Sequence, residues 1–325
     1  MKKSKWQQQL KYDPIPALLE APYKAVVYFT KKDLVGEKVP AVSSLWQLPE
    51  VEKILRGQKK NGGWKYPGAN KTIRDQRMYN FLETYRQLGF LVQKYGMTKK
   101  HASLRKAAEY LFGFQTKAGD FRGLYWRQYS PNYSAQVCEQ LIRAGYEKDR
   151  RVLKCLDWLL TMRQDDGGWA LSVRTHPQSN IGDWMKSTKP LEPKREKPFS
   201  HFVTGIVIRP FSLLPQYRRR PEVVAAGELL KSRFFQSDKY PDRRTADFWE
   251  KLGYPYWQCD YLPVMDALQR IGFSKDDAEI KKVLEWFYKR QRADGIWKSQ
   301  FKSGTRPDTD YWVSLDFCRI LKRWK

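Results

Sequence analysis

Four polar residues carry the side-chain types that acid–base or metal chemistry requires. Asp260 follows Cys259, Asp308 stands two residues before Asp310, and His201 is one of three histidines. Paired carboxylates are ligands for Mg²⁺, and a histidine or a carboxyl can act as an acid or a base. We therefore predict Asp260, Asp308, Asp310 and His201 as candidate catalytic residues, with Mg²⁺ as the one candidate cofactor. A simpler role for Asp308 and Asp310 is to cap the helix that follows them.

A second group of residues has the chemistry of a binding site for an apolar molecule with an anionic end. Backbone N–H groups at helix starts favour anions, and arginine at such a start can hold a diphosphate. Aromatic rings can line an apolar pocket and stabilise a carbocation, although core packing explains them equally well. The predicted ligand-binding residues are Arg74, Arg77, Tyr133, Trp257, Tyr261, Tyr311 and Trp312.

The elements that must position these residues are indicated by a short phrase that occurs four times. The copies span 58–64, 115–121, 163–169 and 291–297. Each begins with glutamine or arginine, contains glycine, and ends six residues later in tryptophan or phenylalanine. A phrase repeated at such intervals is typical of a repeat architecture. We call each copy a glycine–aromatic turn.

Helical periodicity precedes and follows these turns. Before the last one, Ile280, Val283, Leu284 and Phe287 fall on one face of a helix. Helices after the turns end in glycine followed by an aromatic, as in Leu88-Gly89-Phe90 and Ile271-Gly272-Phe273. Counting back twelve residues from three such glycines places Arg77, Tyr133 and Asp260 near equivalent helix starts. The predicted unit is a pair of helices joined by a glycine–aromatic turn.

Two stretches depart from this unit. A degraded fifth copy is expected near Arg233, after a helix over 222–235, and the widest gap between copies holds a Lys- and Pro-rich surface loop over 186–198. Residues 1–46 lack the phrase and are predicted to form a helical extension that packs on the repeats. The predicted division of the chain is therefore an extension over 1–46 and a repeat domain over 47–325.

The phrase resembles the QW motif of terpenoid cyclases and of protein prenyltransferase β subunits. The resemblance covers residues 47–325. It implies an all-α fold, an (α/α) toroid of about five helical hairpins with the N-terminal extension beside it, in which an inner ring of helices encloses a cavity. In this interpretation each glutamine bonds the backbone of an adjacent hairpin and each aromatic packs over it. The six structural residues are Gln58, Trp64, Gln115, Trp169, Gln291 and Trp297.

The two best-known catalytic signatures of these families are missing. The chain has no Asp-x-Asp-Asp acid, and its nearest pairs, Asp165-Asp166 and Asp276-Asp277, belong to a turn and to a helix start. The zinc site of the prenyltransferases requires a histidine after the cysteine, whereas all three histidines precede Cys259. No metal ligands are therefore predicted, and whether the protein is an enzyme stays open.

Composition narrows the environment and the partners. Sixty-one Lys and Arg against 35 Asp and Glu give a net charge of +26, which attracts nucleic acid, an anionic membrane surface or phosphorylated ligands. The bases are spread along the chain, so solubility is an equally plain explanation. The four cysteines are widely spaced, which predicts free buried thiols and a cytoplasmic location. No apolar run is long enough to span a membrane.

Three functions follow from these observations. The first is binding or transforming an isoprenoid-like or lipid ligand in the toroid cavity, as the resemblance implies. The second is a scaffold or partner-binding toroid without chemistry, and the third is a nucleic-acid binder that uses the basic surface. An aromatic-lined void would favour the first, and a ring plugged by side chains would favour the second.

Overall fold

The computed structural model describes residues 4–68, 75–125, 127–176, 184, 187–301 and 306–324. In these ranges the chain forms helices and no β-strand, apart from a single bridge between Gln58 and Trp64. The helices in chain order are α1 (Ile15–Leu19), α2 (Lys24–Phe29), α3 (Pro49–Arg56), α4 (Gln76–Tyr95), α5 (Ala102–Phe112), α6 (Pro131–Leu141), α7 (Arg150–Thr161), α8 (Ser172–Thr175), α9 (His201–Ser212), α10 (Pro215–Arg218), α11 (Pro221–Lys231), α12 (Tyr261–Ile271), α13 (Ala278–Lys289) and α14 (Thr309–Arg323).

Short irregular helical segments supplement these elements. Turns of 3₁₀ type lie at Gln7–Gln9, Val42–Gln47, Gly123–Tyr125 and Ala246–Glu250. Wider π-type turns over Thr30–Val35 and Ile142–Tyr146 continue α2 and α6. The predicted surface loop shows no helix over its described part, 187–198.

Six helices form a closed inner ring. Going round it, α2 contacts α4, α4 contacts α6, α6 contacts α9, α9 contacts α12, α12 contacts α14, and α14 returns to α2. Five hairpins supply five of these helices: α3/α4, α5/α6, α7/α9, α11/α12 and α13/α14. The N-terminal segment supplies the sixth, α2, with α1 packed against it. The prediction of an all-α toroid of about five hairpins with an N-terminal helical extension is confirmed.

The glycine–aromatic turns hold neighbouring hairpins together through one shared set of hydrogen bonds. Gln58 Nε2 donates to Gly62 O within its own turn and to Ser103 O at the start of α5, both at 2.8 Å. Gln115 makes the same pair of bonds to Gly119 O and Arg151 O, both at 2.7 Å. The side-chain amide thus satisfies carbonyls of two successive hairpins, which fixes their spacing.

The last turn closes the ring on the N-terminal segment. Gln291 Nε2 donates to Gly295 O at 3.1 Å and to Tyr12 O at 2.9 Å, and Gln291 Oε1 accepts from Tyr12 N at 3.1 Å. Gly295 has a φ of +82° and lies against the backbone of Asp13 and Pro14, so a Cβ there would clash. Residues 12–14 therefore take the place that the next outer helix occupies at the first two turns.

Two turns make all or part of these contacts with other residues. At 163–169 two residues make the two bonds that a single glutamine makes elsewhere. Arg163 Nε donates to Gly167 O within the turn at 2.9 Å, and Gln164 Nε2 donates to Lys194 O at 2.7 Å. At the degraded copy, Arg233 donates to Ser237 O, again four residues on, and Trp249 Nε1 donates to Gln236 O at 3.1 Å. The surface loop thus serves the third turn as a docking partner.

Candidate functional site

The segment 253–259, which leads into α12, crosses the interior of the ring, and we call it the central segment. Arg209 on α9 donates from Nη1 to Gln258 O at 2.8 Å and from Nη2 to Tyr256 O at 3.1 Å. Gln136 on α6 donates to Trp257 O at 3.0 Å. Three successive carbonyl groups of the segment are therefore paired inside the protein, as buried backbone must be.

Helix α4 holds the same segment from another side of the ring. Gln93 Oε1 accepts from Tyr256 N at 3.0 Å, and Tyr254 Oη donates to Gln93 O at 2.9 Å. Gln93 is itself fixed by donating to Gln140 Oε1 on α6 at 3.0 Å. Arg209 is likewise fixed by its salt bridge with the buried Glu139.

The central segment separates two cavities of opposite character, and Tyr254 lines both. The aromatic cavity has a volume of about 160 Å³ and is lined by Phe90, Gly253, Tyr254, Pro255, Trp257, Gln258, Ser299, Phe301, Arg306 and Thr309. The charged cavity has a volume of about 780 Å³ and is lined by Phe29, Asp33, Val92, Gln93, Gly96, Arg143, Tyr254, Tyr256, Asp266, Gln269, Arg270, Asp316, Arg319, Lys322 and Arg323.

Two of the predicted aromatic residues meet at the aromatic cavity. Trp257 lines it, with ring centroids 5.8 Å from Tyr85 and 5.7 Å from Phe90, and leaves no room for a Cβ on Gly89. Trp312 lies behind Tyr254, stacked parallel to it at 5.3 Å. These ring contacts hold Trp257 and Tyr254 in place in the cavity wall.

Asp308 lies beside this cavity in a buried ion pair. Lys94 Nζ donates to Asp308 Oδ2 at 2.7 Å, and Trp312 Nε1 donates to the same oxygen at 2.9 Å. Burial lowers the pKa of Lys94 to about 8, partly offset by Asp308. The second oxygen, Asp308 Oδ1, is buried and receives no hydrogen bond from the described residues. This carboxylate is thus paired with a cation.

Asp260 is the predicted carboxyl whose environment favours a retained proton. It is buried at the start of α12, where Oδ1 accepts from Leu262 N at 3.0 Å. Burial raises its pKa well above the usual range for aspartate, against hydrogen bonds from Leu262 N and Gly253 N that lower it. Gly253 lines the aromatic cavity, so Asp260 stands directly behind that wall.

The other predicted catalytic residues lie in structural contacts. Asp310 Oδ1 accepts from Ser299 N at 2.9 Å, so Asp308 and Asp310 serve different partners, and this arrangement does not fit a shared Mg²⁺ ion. His201 is buried, stacks on Trp249 at 4.6 Å, and its Nδ1 is 3.6 Å from Asp238 Oδ2. Burial lowers the pKa of His201 to about 4. It is a neutral residue of the core.

The remaining predicted ligand-binding residues are dispersed. Tyr261 is buried against Trp249 at 5.4 Å, and Tyr311 packs edge-on against Tyr23 at 5.5 Å. Tyr133 packs between Tyr85 and Tyr125 at 6.2 and 5.5 Å. Arg77 is exposed, with its guanidinium 5.7 Å from the Phe114 ring centroid. Arg74 lies outside the described residues.

The charged cavity contains none of the predicted site residues. It lies where α4, α6, α12 and α14 end, and its cations are Arg143, Arg270, Arg319, Lys322 and Arg323. Positive charges near helix ends are common because they offset the helix dipole, so each looks ordinary in the sequence. The sequence feature that could have revealed this cavity is the presence of cations at the ends of several successive inner helices.

Opposite charges in this cavity hold one another ionised. Arg270, Arg323 and Arg143 lower the pKa of Asp266 far below its usual range, although burial opposes them. The pKa of Arg143 and that of Arg319 are raised by neighbouring acids and tyrosines despite their burial. Tyr256 Oη donates to Asp316, and burial raises the pKa of this tyrosine. Asp266, Arg143 and Arg319 therefore stay charged over the physiological range.

Other expectations concern thiols, metals and membranes. All four cysteines are free and buried, as predicted. In the described ranges no three His, Cys, Asp or Glu residues gather as a metal-binding group would require. The helices described here include none with the length and apolar character to cross a lipid bilayer.

The chain resembles several solved structures at low sequence identity. No protein-family model and no curated protein matches the chain. A crystal structure of a protein from Actinoplanes is 16% identical over 87% of both chains, with a TM-score of 0.40. The type II terpene cyclase MstE from Scytonema, in complex with geranylgeranyl dihydroxybenzoate, is 13% identical over 87% of this chain and 97% of its own, with a TM-score of 0.34. The chain's own contacts establish the fold, and these similarities assign it no ligand and no reaction.

Proposed function

We propose that this protein binds an isoprenoid-like apolar ligand in the aromatic cavity of its ring. The observation that carries the proposal is the wall of Phe90, Tyr254, Trp257 and Phe301, which encloses about 160 Å³ beside the central segment. Binding cavities are typically apolar with a few placed polar groups and span about 300–1,000 Å³. This cavity is smaller, so it would hold one end of the ligand, and Arg306 and Thr309 supply the polar groups. The likeness of the glycine–aromatic turns to the QW motif supports the same ligand class.

Binding is better supported than turnover. A protonating enzyme needs an acid that both keeps a proton and reaches the ligand. Asp308 is paired with Lys94, His201 stacks on Trp249, and Asp310 accepts a hydrogen bond from Ser299 N. Asp260 has the raised pKa but stands behind Gly253, where it caps α12. If the protein does transform its ligand, Asp260 is the residue that would protonate it.

The first experiment measures binding of farnesol, an uncharged prenyl alcohol, by calorimetry. An uncharged probe avoids attraction by the net charge of +26. We expect Phe90→Ala to weaken farnesol binding by tenfold or more, since burying a phenyl ring contributes about 1.5–3 kcal/mol. Phe112→Ala is the matched control, because Phe112 is equally buried but lies on the outer helix α5.

Two results would contradict binding in this cavity. One is the absence of heat and of thermal stabilisation at saturating farnesol. The other is an equal loss of affinity in Phe90→Ala and Phe112→Ala, which would mean that general destabilisation explains the loss. Turnover is tested separately with Asp260→Asn, because asparagine keeps the cap but cannot donate a carboxyl proton.

The second candidate function is a scaffold without a ligand. The observation that favours it is the central segment, whose peptide groups are hydrogen-bonded to three inner helices, α9, α6 and α4. Failure of farnesol to bind, together with a partner co-purified at fixed stoichiometry, would support this function. Contact with nucleic acid or an anionic membrane stays a prediction from net charge, and a steep dependence of RNA retention on salt would support it.

A further inference from the structure

The charged cavity holds a local excess of guanidinium groups around one carboxylate. Arg270 Nε is 3.0 Å from Asp266 Oδ2, Arg143 Nη2 is 3.6 Å from the same oxygen, and Arg323 Nη2 bonds Asp266 Oδ1. Three guanidiniums carry about fifteen N–H donors, whereas one carboxylate has about four acceptor sites. The donors of this triad therefore exceed what Asp266 can accept.

Other hydrogen-bond acceptors near the triad reduce the excess of N–H donors and positive charge but do not remove it. Arg143 also bonds Glu139 Oε1 at 3.0 Å, but Glu139 is shared with Arg209 at 2.6 Å. Arg323 Nε donates to the neutral Gln269 Oε1 at 2.9 Å. Counting Arg209 and Glu139 with the triad and Asp266, four positive charges face two negative ones. A net charge of about two remains at one end of the cavity.

The cations lie nearer to solvent than the carboxylate. The side chains of Arg143, Arg270 and Arg323 are 22%, 28% and 31% exposed, whereas that of Asp266 is 6% exposed. A molecule that enters the cavity therefore meets guanidinium groups first, with the carboxylate behind them. Because the carboxylate already orients the guanidiniums, an anion would bind with little further loss of side-chain freedom.

Offsetting the helix dipoles is the competing explanation for these cations. It accounts for one cation at the end of each helix. It does not account for three that converge from α6, α12 and α14 on one carboxylate at the wall of a 780 Å³ space. The remaining walls include Val92, Tyr254 and Tyr256, which suit an organic moiety attached to the anion.

We propose that Arg143, Arg270 and Arg323 form a binding site for the phosphate group of a phosphorylated small molecule. A phosphate monoester carries about −1.5 to −2 at pH 7, which matches the excess positive charge of the triad. Arginine binds phosphate oxygens through paired N–H donors. The site is distinct from the aromatic cavity, so this proposal does not depend on whether the protein binds an isoprenoid ligand.

The test compares two esters of the same shape and different charge. Phenyl phosphate and phenyl sulfate share the phenyl ring and the tetrahedral head, but the sulfate carries a single negative charge. We expect calorimetry at physiological salt to give phenyl phosphate at least tenfold the affinity of phenyl sulfate. Arg270→Gln and Arg323→Gln should each weaken phenyl phosphate binding tenfold or more.

Arg220→Gln is the matched control, because Arg220 is exposed between α10 and α11 and pairs with Glu222. It should bind phenyl phosphate as the wild type does. If Arg270→Gln does not fold, Arg323→Gln decides, because its side chain is the most exposed of the three. Equal binding of the two esters overturns the proposal. So does an equal loss in Arg220→Gln, which would show diffuse attraction to the basic surface.

Discussion

The two cavities lie in one ring and share Tyr254, but their surroundings shift the pKa values of nearby acids and bases in opposite directions. Beside the aromatic cavity, burial raises the pKa of Asp260 and lowers that of Lys94 to about 8. In the charged cavity, arginines lower the pKa of Asp266, and acids raise that of Arg319. Burial thus favours neutral groups where counter-charges are few, and charged groups where they are many.

The difference shows that depth in the protein does not decide the chemistry of a site. Both regions are walled by the same central segment, and both contain groups that are largely buried. What differs is the number of opposite charges within a few ångströms. The aromatic side is therefore suited to an apolar ligand and the charged side to an anion, and four changes test this contrast.

Removing the anchor of the central segment should have the largest effect. Arg209→Leu leaves the buried Glu139 without this salt bridge and frees the carbonyls of Tyr256 and Gln258. Removing one partner of a buried ion pair typically costs about 3–5 kcal/mol. Urea unfolding measures the loss, and Arg220→Leu, at an exposed position, is the control. A loss below about 1 kcal/mol would show that the segment holds without its anchor.

A methyl group added at Gly89 should disturb the aromatic cavity alone. The new Cβ would overlap the Trp257 ring, and such overpacking costs about 1–3 kcal/mol. Gly89→Ala should therefore abolish farnesol binding, change tryptophan fluorescence and leave phenyl phosphate binding unchanged.

Gly113→Ala serves as its control. Gly113 ends α5 at an exposed position, where an added Cβ would meet only the carbonyl oxygens of Tyr110 and Glu109 in its own helix, at 3.3 and 3.6 Å. Stability and binding of both ligands should therefore stay near those of the wild type. If Gly89→Ala weakened both ligands equally, the two cavities would not be independent.

Acid should act on the neutral core residues before it acts on the charged cavity. Burial places the pKa of His201 at about 4 against an ordinary 6.5. Its contribution to stability is complete above pH 6.5 and is lost as the pH falls from 6.5 to 4, because the unfolded state then binds the proton more readily. The slope within that window is at most about 1.4 kcal/mol per pH unit.

His201→Phe should remove that slope, as measured by urea unfolding at a series of pH values. The control His101→Asn keeps a cap on α5, where His101 Nδ1 accepts from Ser103 N. Burial lowers the pKa of His101 as well, so this control should lose only a minor part of the slope. An unchanged slope in His201→Phe would assign the acid sensitivity to other groups.

The smallest effect on stability is expected at Tyr254, the residue that lines both cavities. Tyr254→Phe removes one hydrogen bond, from Tyr254 Oη to Gln93 O, which contributes about 0.5–1.5 kcal/mol. Because the ring itself remains, farnesol and phenyl phosphate should bind as before, and thermal unfolding should show the small loss. A selective loss of one ligand would show that the hydroxyl group belongs to that ligand's site.

The repeated turns made the fold predictable, because their bonds link residues at fixed spacing. The amide of each glutamine bonds the carbonyl four residues on, as in Gln58 to Gly62, and each indole N–H bonds the carbonyl ten residues back, as in Trp64 to Ile54. The bonds from the aromatic backbone N–H to the inner helix were less visible. Trp64 N donates to Thr84 Oγ1, 20 residues on, and Trp169 N donates to Thr204 Oγ1, 35 residues on.

The candidate site was predictable only in part. Trp257 was selected as an aromatic that could line a pocket, and Asp308 as a carboxylate before a helix; Trp257 lines the aromatic cavity and Asp308 lies beside it. Tyr261 and His201 were selected by the same reasoning and lie in the core. Position near a helix start fixes the height of a residue in the ring, but the direction of its side chain depends on the neighbouring helix.

The sequence by itself determined the helical hairpins and their stacking, because periodicity and turn chemistry act over a few residues. Only the tertiary structure decided that residues 12–14 and α2 close the ring, and that the central segment divides its interior. It also decided that arginines from α6, α12 and α14 meet at Asp266. These contacts join residues far apart in the chain, and their geometry is set by ring closure, which no local pattern encodes.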